Sequence, residues 1–365
     1  MINFPLLKRQ ALRLVTGSKT YEELCDRQWV LSPEKSAIAQ SAIYLNGALD
    51  KITGVQSETT YATELERIRG GMRTHAPTIA YQLRNVHIRQ GYVYKAAMRL
   101  RFTTQPDHLF AWDKTALIPD AAFACSDMGY RYFAHSLLDD LPLTLAAQQI
   151  AEPITTNYLP TLHQAQYQDL FEIHARPVQQ AFCQRFTLID DVGQNEFKRD
   201  RYQLMRSKLM RSKLMHSKLQ AIPSKQPPRG VLLLRGKSGV KRLLVNEQEV
   251  AAFLRDQGFV CLNVETLSAQ EIVQQSLGAS IVVGVEGSQL VHGLLTMADG
   301  GALITLQPPY RFNNPYKDYI DCFDTGIRYG FVVGQAAPDG FEIDLHDLAR
   351  TLERVDQVLA CRALV

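Results

Sequence analysis

From residue 229 onward, apolar and polar positions come in blocks rather than singly. GVLLLRG (230–236), VCLNVET (260–266), ASIVVG (279–284) and ALITL (302–306) are short apolar runs, and amphipathic stretches separate them. Apolar runs of that length indicate strands buried on both faces, and helices between them indicate a parallel sheet with crossovers. NEQEVAAFLRDQGF carries acidic residues in its first turn and Gly258 at its end, and LSAQEIVQQSLGA opens on Ser268 as an N-cap. The stretch 281–306, IVVGVEGSQLVHGLLTMADGGALITL, is a strand, a glycine turn, an apolar helix and a second strand. Such a unit places an anion or nucleotide at a helix N-terminus, and ligands of these sheets lie beyond the carboxyl ends of the strands. The loops 235–242, 265–268, 284–289 and 307–316 are therefore the ones to read for function.

The first half has a different rhythm. Residues 1–70 read as mostly helical, with YEEL from Tyr21 and TELERIR from Thr63 as periodic stretches and Gly70-Gly71 as a stop. TIAYQLRNVHIRQGYVYKAAMRLRF (78–102) alternates around Gly91, the pattern of a hairpin or meander. A helix is predicted over about 130–150, with Pro142 near its first turn or kinking it, and Phe182–Leu188 reads as a further strand. Leu204–Gln220 repeats a five-residue Leu-Met unit; at about 100° per residue that step winds the pairs around a helix and leaves no consistent buried face. These patterns predict an N-terminal α/β domain over 1–200, a basic helix or linker over 201–228, a Rossmann-like domain over 229–345 and a closing helix over 346–365 that could cross back to the N-terminal domain.

Length and composition narrow the class. A chain of 365 residues suits two domains, and 46% hydrophobic with 21% charged residues is the composition of a folded protein. No apolar run is long enough to span a bilayer. The opening MINFPLLKRQALRLV has no signal-peptide cleavage pattern; it reads as an ordinary first helix or as a basic amphipathic helix resting on an anionic membrane. Cys25, Cys125, Cys183, Cys261, Cys322 and Cys361 are widely spaced, which fits reduced thiols in the cytoplasm rather than a zinc site or disulfide framework. The net charge of +3 is uneven: residues 198–229 hold ten Lys or Arg and one Asp, a net of +9, so the rest carries +3 − 9 = −6. That excludes a chain-wide basic surface for nucleic acid, while the 198–225 segment alone would suit an anionic membrane or an acidic partner.

Three groups of residues could carry chemistry. The loop from Arg235 to Arg242 has four cations, Lys241 among them, and two glycines just after a strand; it does not match the Walker A pattern, but its cations suit a diphosphate. In the next loop Gly287, Ser288 and Gln289 lead into a helix with N–H groups to offer an anion, while Glu286 suits sugar or ribose hydroxyls or caps the helix, and His292 lies within the apolar helix. In the first half His135 and Asp139 stand at i and i+4, with Asp140 beside them, so a carboxylate could orient a histidine general base. The sequence has no D-x-D triplet and no metal-ligand cluster.

In this order the motifs resemble glycosyltransferase family 61, the group once labelled domain of unknown function 563. They are H135-S-L-L-D-D-L-P142, the strand end LLLR235, R242-L-L-V-N246-E247, the turn G284-V-E-G-S-Q-L290 and LITLQPP309. The resemblance covers about 130–335. It departs at Glu286, where the family usually has His, at Ser288, where it has Ala, and at His292, where Asn is common; a bacterial subgroup reading another donor sugar would account for this. The resemblance implies a GT-B-like α/β fold of two Rossmann-like domains with a cleft between them. It implies an inverting, metal-independent transfer from a nucleotide sugar, UDP-linked, with no cofactor required, to a glycan or lipid-linked glycan acceptor of capsule or exopolysaccharide synthesis. Arg235, Lys241, Arg242, Glu286, Gly287, Ser288, Gln289 and His292 would then hold the donor, and His135 with Asp139 or Asp140 would supply the base. The expected location is cytoplasmic, with peripheral contact to the inner face of the plasma membrane as an option. The alternatives are an inactive nucleotide-binding homologue and a docking protein acting through 198–225.

Overall fold

A computed structural model describes residues 3–108, 115–157, 159–219, 228–236 and 242–362. Contacts divide the chain into two compact units, Met1–Lys35 with His75–Arg201, and Ser36–Thr74 with Tyr202–Val365.

In the first unit the chain builds a mixed sheet of eight strands. Its centre is the antiparallel pair Thr78–Arg89 and Gln180–Asp190, with Phe186 opposite Leu83. Thr78–Arg89 turns at Gln90-Gly91 into Tyr92–Lys95 and then Met98–Arg101. Both turn residues take positive φ, 47° and 82°, which suits a two-residue hairpin. On the other side Gln180–Asp190 pairs in parallel with Ala116–Phe123, followed by Glu152–Thr155 and Arg176–Pro177. The expectation of a Rossmann-like sheet here is corrected: Thr78–Arg89 runs antiparallel to both Gln180–Asp190 and Tyr92–Lys95, so only one side of the sheet is parallel. Leu83, Val86, Ile118, Phe123, Cys183 and Phe186 form its core.

Pro142 shapes the helical segment above this sheet. Phe133–His135, Ser136–Asp140 and Leu141–Gln148 follow one another without a break. Proline has no N–H to return to residue 138, and its ring crowds that carbonyl. Just before it the helix widens into a π turn, in which Leu141 N–H donates to Ser136 O.

In the second unit five strands are all parallel: Gly230–Leu234, Phe259–Asn263, Ile281–Val285, Ala302–Gln307 and Arg328–Val333. Numbered within the unit, their spatial order is 2-1-3-4-5. Helices Glu247–Asp256, Ala269–Ser276, Leu290–Thr296 and Pro315–Phe323 make the crossovers. Ile281, Val283 and Val285 join a core with Val250 and Leu254 on one face, while Val282 and Gly284 approach helix Leu290–Thr296 on the other. Ser268 forms the expected cap, its side chain accepting from Glu271 N–H.

Three boundaries differ from the sequence ranges. Residues 36–74 belong with the second unit, where Ile43 bridges to Gly330 and buried Glu64 accepts from Asn314 N and Nδ2 at 2.7 and 2.9 Å. The closing helix Leu345–Arg362 packs Leu348, Leu352 and Val355 into the second unit's own core, so the crossing back to the first domain is corrected. Finally, the basic segment is one helix, Glu196–Leu219, with a buried face: Tyr202, Met205 and Leu209 stand at i, i+3 and i+7. That stripe begins ahead of the repeat, which is why the five-residue step alone does not reveal it. Arg206 is engaged as well, donating to the carbonyls of Leu294 and Met297 at 2.9 and 2.8 Å and pairing with Asp299.

Candidate active site

A 2-1-3-4-5 sheet reverses its winding between its first and third strands, and beyond the carboxyl ends of those two strands a crevice opens. Here they are Gly230–Leu234 and Ile281–Val285, so the next residues, Arg235 and Glu286, flank the switch point. Arg235 Nη1 donates to Glu286 O at 3.2 Å and to Gln289 Oε1 at 3.1 Å. Arg242 Nη1 donates to Glu286 O at 2.6 Å and pairs with the Glu286 carboxylate at 2.6 Å. The loop after the fourth strand adds Arg311, 3.8 Å from that carboxylate, and Asn313, whose Nδ2 donates to Glu286 Oε1 at 3.1 Å. Tyr316 closes the group by donating to Gly287 O at 2.9 Å.

Two guanidinium groups, Arg242 and Arg311, thus flank a carboxylate whose residue is 3% exposed, and Arg235 holds the backbone carbonyl of the same residue. Burial lowers the pKa of Arg235 and pushes that of Arg242 down to about 10, against the pull of Glu286. Arg242 Nε and Arg311 Nε are buried donors with no hydrogen-bond partner among the described residues. Gly287 has φ +153°, and a Cβ there would overlap Arg235 Nη1. The stretch R242-L-L-V-N246-E247 also gains separate roles: Glu247 Oε1 accepts from Arg235 N, and Asn246 clips Ile343 through both its amide atoms.

The sequence-predicted donor residues therefore divide. Arg235, Arg242, Glu286, Gly287 and Gln289 meet at one place, with Ser288 in the same turn. Glu286 faces guanidinium groups rather than open solvent. His292 is 1% exposed and lies inside helix Leu290–Thr296 rather than in the turn before it. Lys241 lies outside the described residues. The N–H groups of Leu290, Val291 and His292 donate to the carbonyls of Gly287, Ser288 and Gln289, so the first helical turn spends them internally. Arg311, Asn313 and Tyr316 were not singled out from the sequence; the loop 307–316 was, by its place at a strand's end.

In the first unit His135 Nδ1 lies 2.6 Å from Asp139 Oδ2. The other oxygen of Asp139 is 3.3 Å from Lys198 Nζ, and that side chain is 1% exposed. Lys198 also lies 3.8 Å from Asp191, which Arg201 grips with two bonds of 2.9 and 2.8 Å. The chain His135–Asp139–Lys198–Asp191–Arg201 fixes the imidazole from behind. In the sequence Lys198 and Arg201 are part of the basic segment, and only their place on the buried face of the helix distinguishes them. Asp140 has a different task from Asp139. Its Oδ1 accepts from Ser126 N at 2.9 Å and Ser126 Oγ at 2.7 Å, and burial pushes its carboxyl up to about 8. A pocket of about 560 Å³ in the same unit is lined by Tyr130, Tyr132, Phe133, Asn157 and Gln164. The Tyr132 ring lies 6.0 Å from that of His135.

The family model Glycosyltransferase 61 matches residues 133–304, from the His135 helix to the fourth strand of the second unit. This chain is a glycosyltransferase. A glycosyltransferase has a sugar donor and a glycan acceptor, and the matched range contains both residue groups except Ser126, Tyr130 and Tyr132 before it and Arg311, Asn313 and Tyr316 after it. No curated protein matches the chain. Among the described residues of the enzyme no helix is long and apolar enough to cross a membrane.

Proposed function

We propose that the enzyme moves a sugar, with inversion and without a metal ion, from a UDP-linked donor to a hydroxyl of a glycan or lipid-linked glycan, in capsule or exopolysaccharide synthesis in the cytoplasm. The Rossmann-like second unit binds the donor and the mixed-sheet first unit the acceptor, a division of labour like that of a GT-B enzyme. The observation that carries this reading is the convergence of Arg235, Arg242 and Arg311 at the switch point of the parallel sheet. Three guanidinium groups and one carboxylate sum to a net charge of +2 (three minus one), which matches the two negative charges of a sugar-linked diphosphate. Arginine forks suit phosphate oxygens, and fixed cations stabilise the charge that develops on the leaving diphosphate. A divalent ion supplies the same charge in other sites, so these arginines support metal independence.

His135 is the general base. With Nδ1 donating to Asp139, Nε2 takes the acceptor hydroxyl's proton as that oxygen bonds to the anomeric carbon. The bond from that carbon to the diphosphate breaks, and the diphosphate leaves with the electron pair. Asp139, held by Lys198, stabilises the imidazolium that forms. The aromatic and amide lining of the neighbouring pocket supports a carbohydrate acceptor in the same unit.

The test is a thermal-shift panel of nucleoside diphosphate sugars, with and without Mg²⁺, on the wild type and two variants. A UDP-sugar should raise the melting temperature without Mg²⁺. His135→Ala should keep that shift and lose turnover, and Arg242→Ala should lose the shift. If no nucleotide sugar stabilises the wild type, or only with Mg²⁺, the reading fails.

A further inference from the structure

Helix Phe4–Thr16 is held to the first unit along a narrow line. Asn3 caps it by accepting from Leu6 N at 3.1 Å and donates in turn to His108 O at 3.0 Å. Leu6, 5% exposed, packs with Tyr92 and Tyr94. At about 100° per residue, Phe4, Leu7, Ala11, Leu14 and Val15 share one arc of about 100°, turned well away from Leu6. This arc faces solvent: Phe4 is 70%, Leu14 89% and Val15 84% exposed. An ordinary first helix would bury its apolar stripe, and this one buries the opposite side.

Charge identifies what would cover the arc. Residues 3–21 contain Lys8, Arg9, Arg13 and Lys19 and no Asp or Glu, and Lys8 and Arg13 are exposed. A second copy docked two-fold on this face would bring like charges together, which opposes self-association. Anionic headgroups answer the cations while the acyl boundary takes the apolar arc. We propose that the exposed face of helix Phe4–Thr16 docks the enzyme onto anionic lipid bilayers, lying in the plane of the interface. This stands independently of the donor-site reading, since it uses none of those residues.

The experiment is co-sedimentation of the full chain with vesicles of phosphatidylcholine alone or with about one third phosphatidylglycerol. Wild type should bind the phosphatidylglycerol vesicles, less so as salt rises. Leu14→Glu with Val15→Glu, and separately Lys8→Gln with Arg13→Gln, should each weaken binding about tenfold or more. Melting temperatures should be unchanged, because these side chains are exposed. The proposal is overturned if the wild type does not bind, if it binds phosphatidylcholine alone equally well, or if both double variants bind like wild type. A wild-type dimer that Leu14→Glu with Val15→Glu separates would assign the face to a second copy instead.

Discussion

Adjacent carboxylates with opposite environments show how little residue type says about role. Asp139 lies between an imidazole and an ammonium group, while Asp140 is buried against Ser126 and Gly129, where any side chain at 129 would overlap its carboxyl. Burial raises the Asp140 carboxyl from 3.8 to about 8, so between those values the folded chain holds a proton that the unfolded chain has released. This contribution to stability is complete below the unfolded pKa and is lost as pH rises toward 8. Asp140→Asn keeps an oxygen to accept both Ser126 bonds and has nothing to ionise. Its melting temperature is expected to be flatter than wild type between about pH 5 and 8.5, with the advantage to the variant growing at the alkaline end; thermal denaturation across that range checks it. A wild-type profile as flat as the variant's would show that Asp140 ionises freely in the fold.

At the scale of elements, the turn after Ile281–Val285 determines whether the arginines converge. Gly287 takes a backbone angle that side chains resist, and it leaves the volume that Arg235 and Gln289 occupy. Gly287→Ala is expected to displace both and weaken donor binding about tenfold or more, about 1.4 kcal/mol, as read by calorimetric titration. Unchanged affinity would mean that the turn does not position Arg235. The π turn ahead of Pro142 has a comparable effect in the first unit, since it directs Asp139 toward His135 and Lys198 and Asp140 inward. The stretch H135-S-L-L-D-D-L-P142 encodes this in its proline, but the widened turn itself follows from where the ring and a carbonyl collide.

On the scale of the whole molecule, the second unit is completed by a segment that precedes most of the first. Glu64, fully buried, accepts from Asn314 N, Asn314 Nδ2 and Thr59 Oγ1 and pairs with Arg67. Asn314 ends the loop that carries Arg311 and Asn313, so this contact braces the candidate donor site from below. Glu64→Ala removes a buried acceptor from two amide donors and from Arg67, a half-buried cation that keeps Asp318, a change that costs about 3 kcal/mol. Urea denaturation should show that loss in the second unit; a loss under about 1 kcal/mol would mean that residues 36–74 are not needed to hold the loop.

The amino-acid sequence alone determined the parallel sheet of the second unit, because apolar β-branched runs separated by amphipathic stretches have few other ways to bury themselves. It also determined that His135 and Asp139 share a helix face and that Arg235, Arg242 and the 286–289 turn sit at strand ends, since spacing sets both. It left undecided which side chains beyond those would join them. Lys198 reaches Asp139, and Arg311 reaches Glu286, across 59 and 25 residues of chain. Residues 36–74 leave one unit for the other for the same reason. Contacts between distant segments depend on which faces the packed sheets present, and no local pattern records that. Tertiary structure also decided that the apolar arc of the first helix is left exposed by the first unit, because Leu6 is the helix residue buried against Tyr92 and Tyr94.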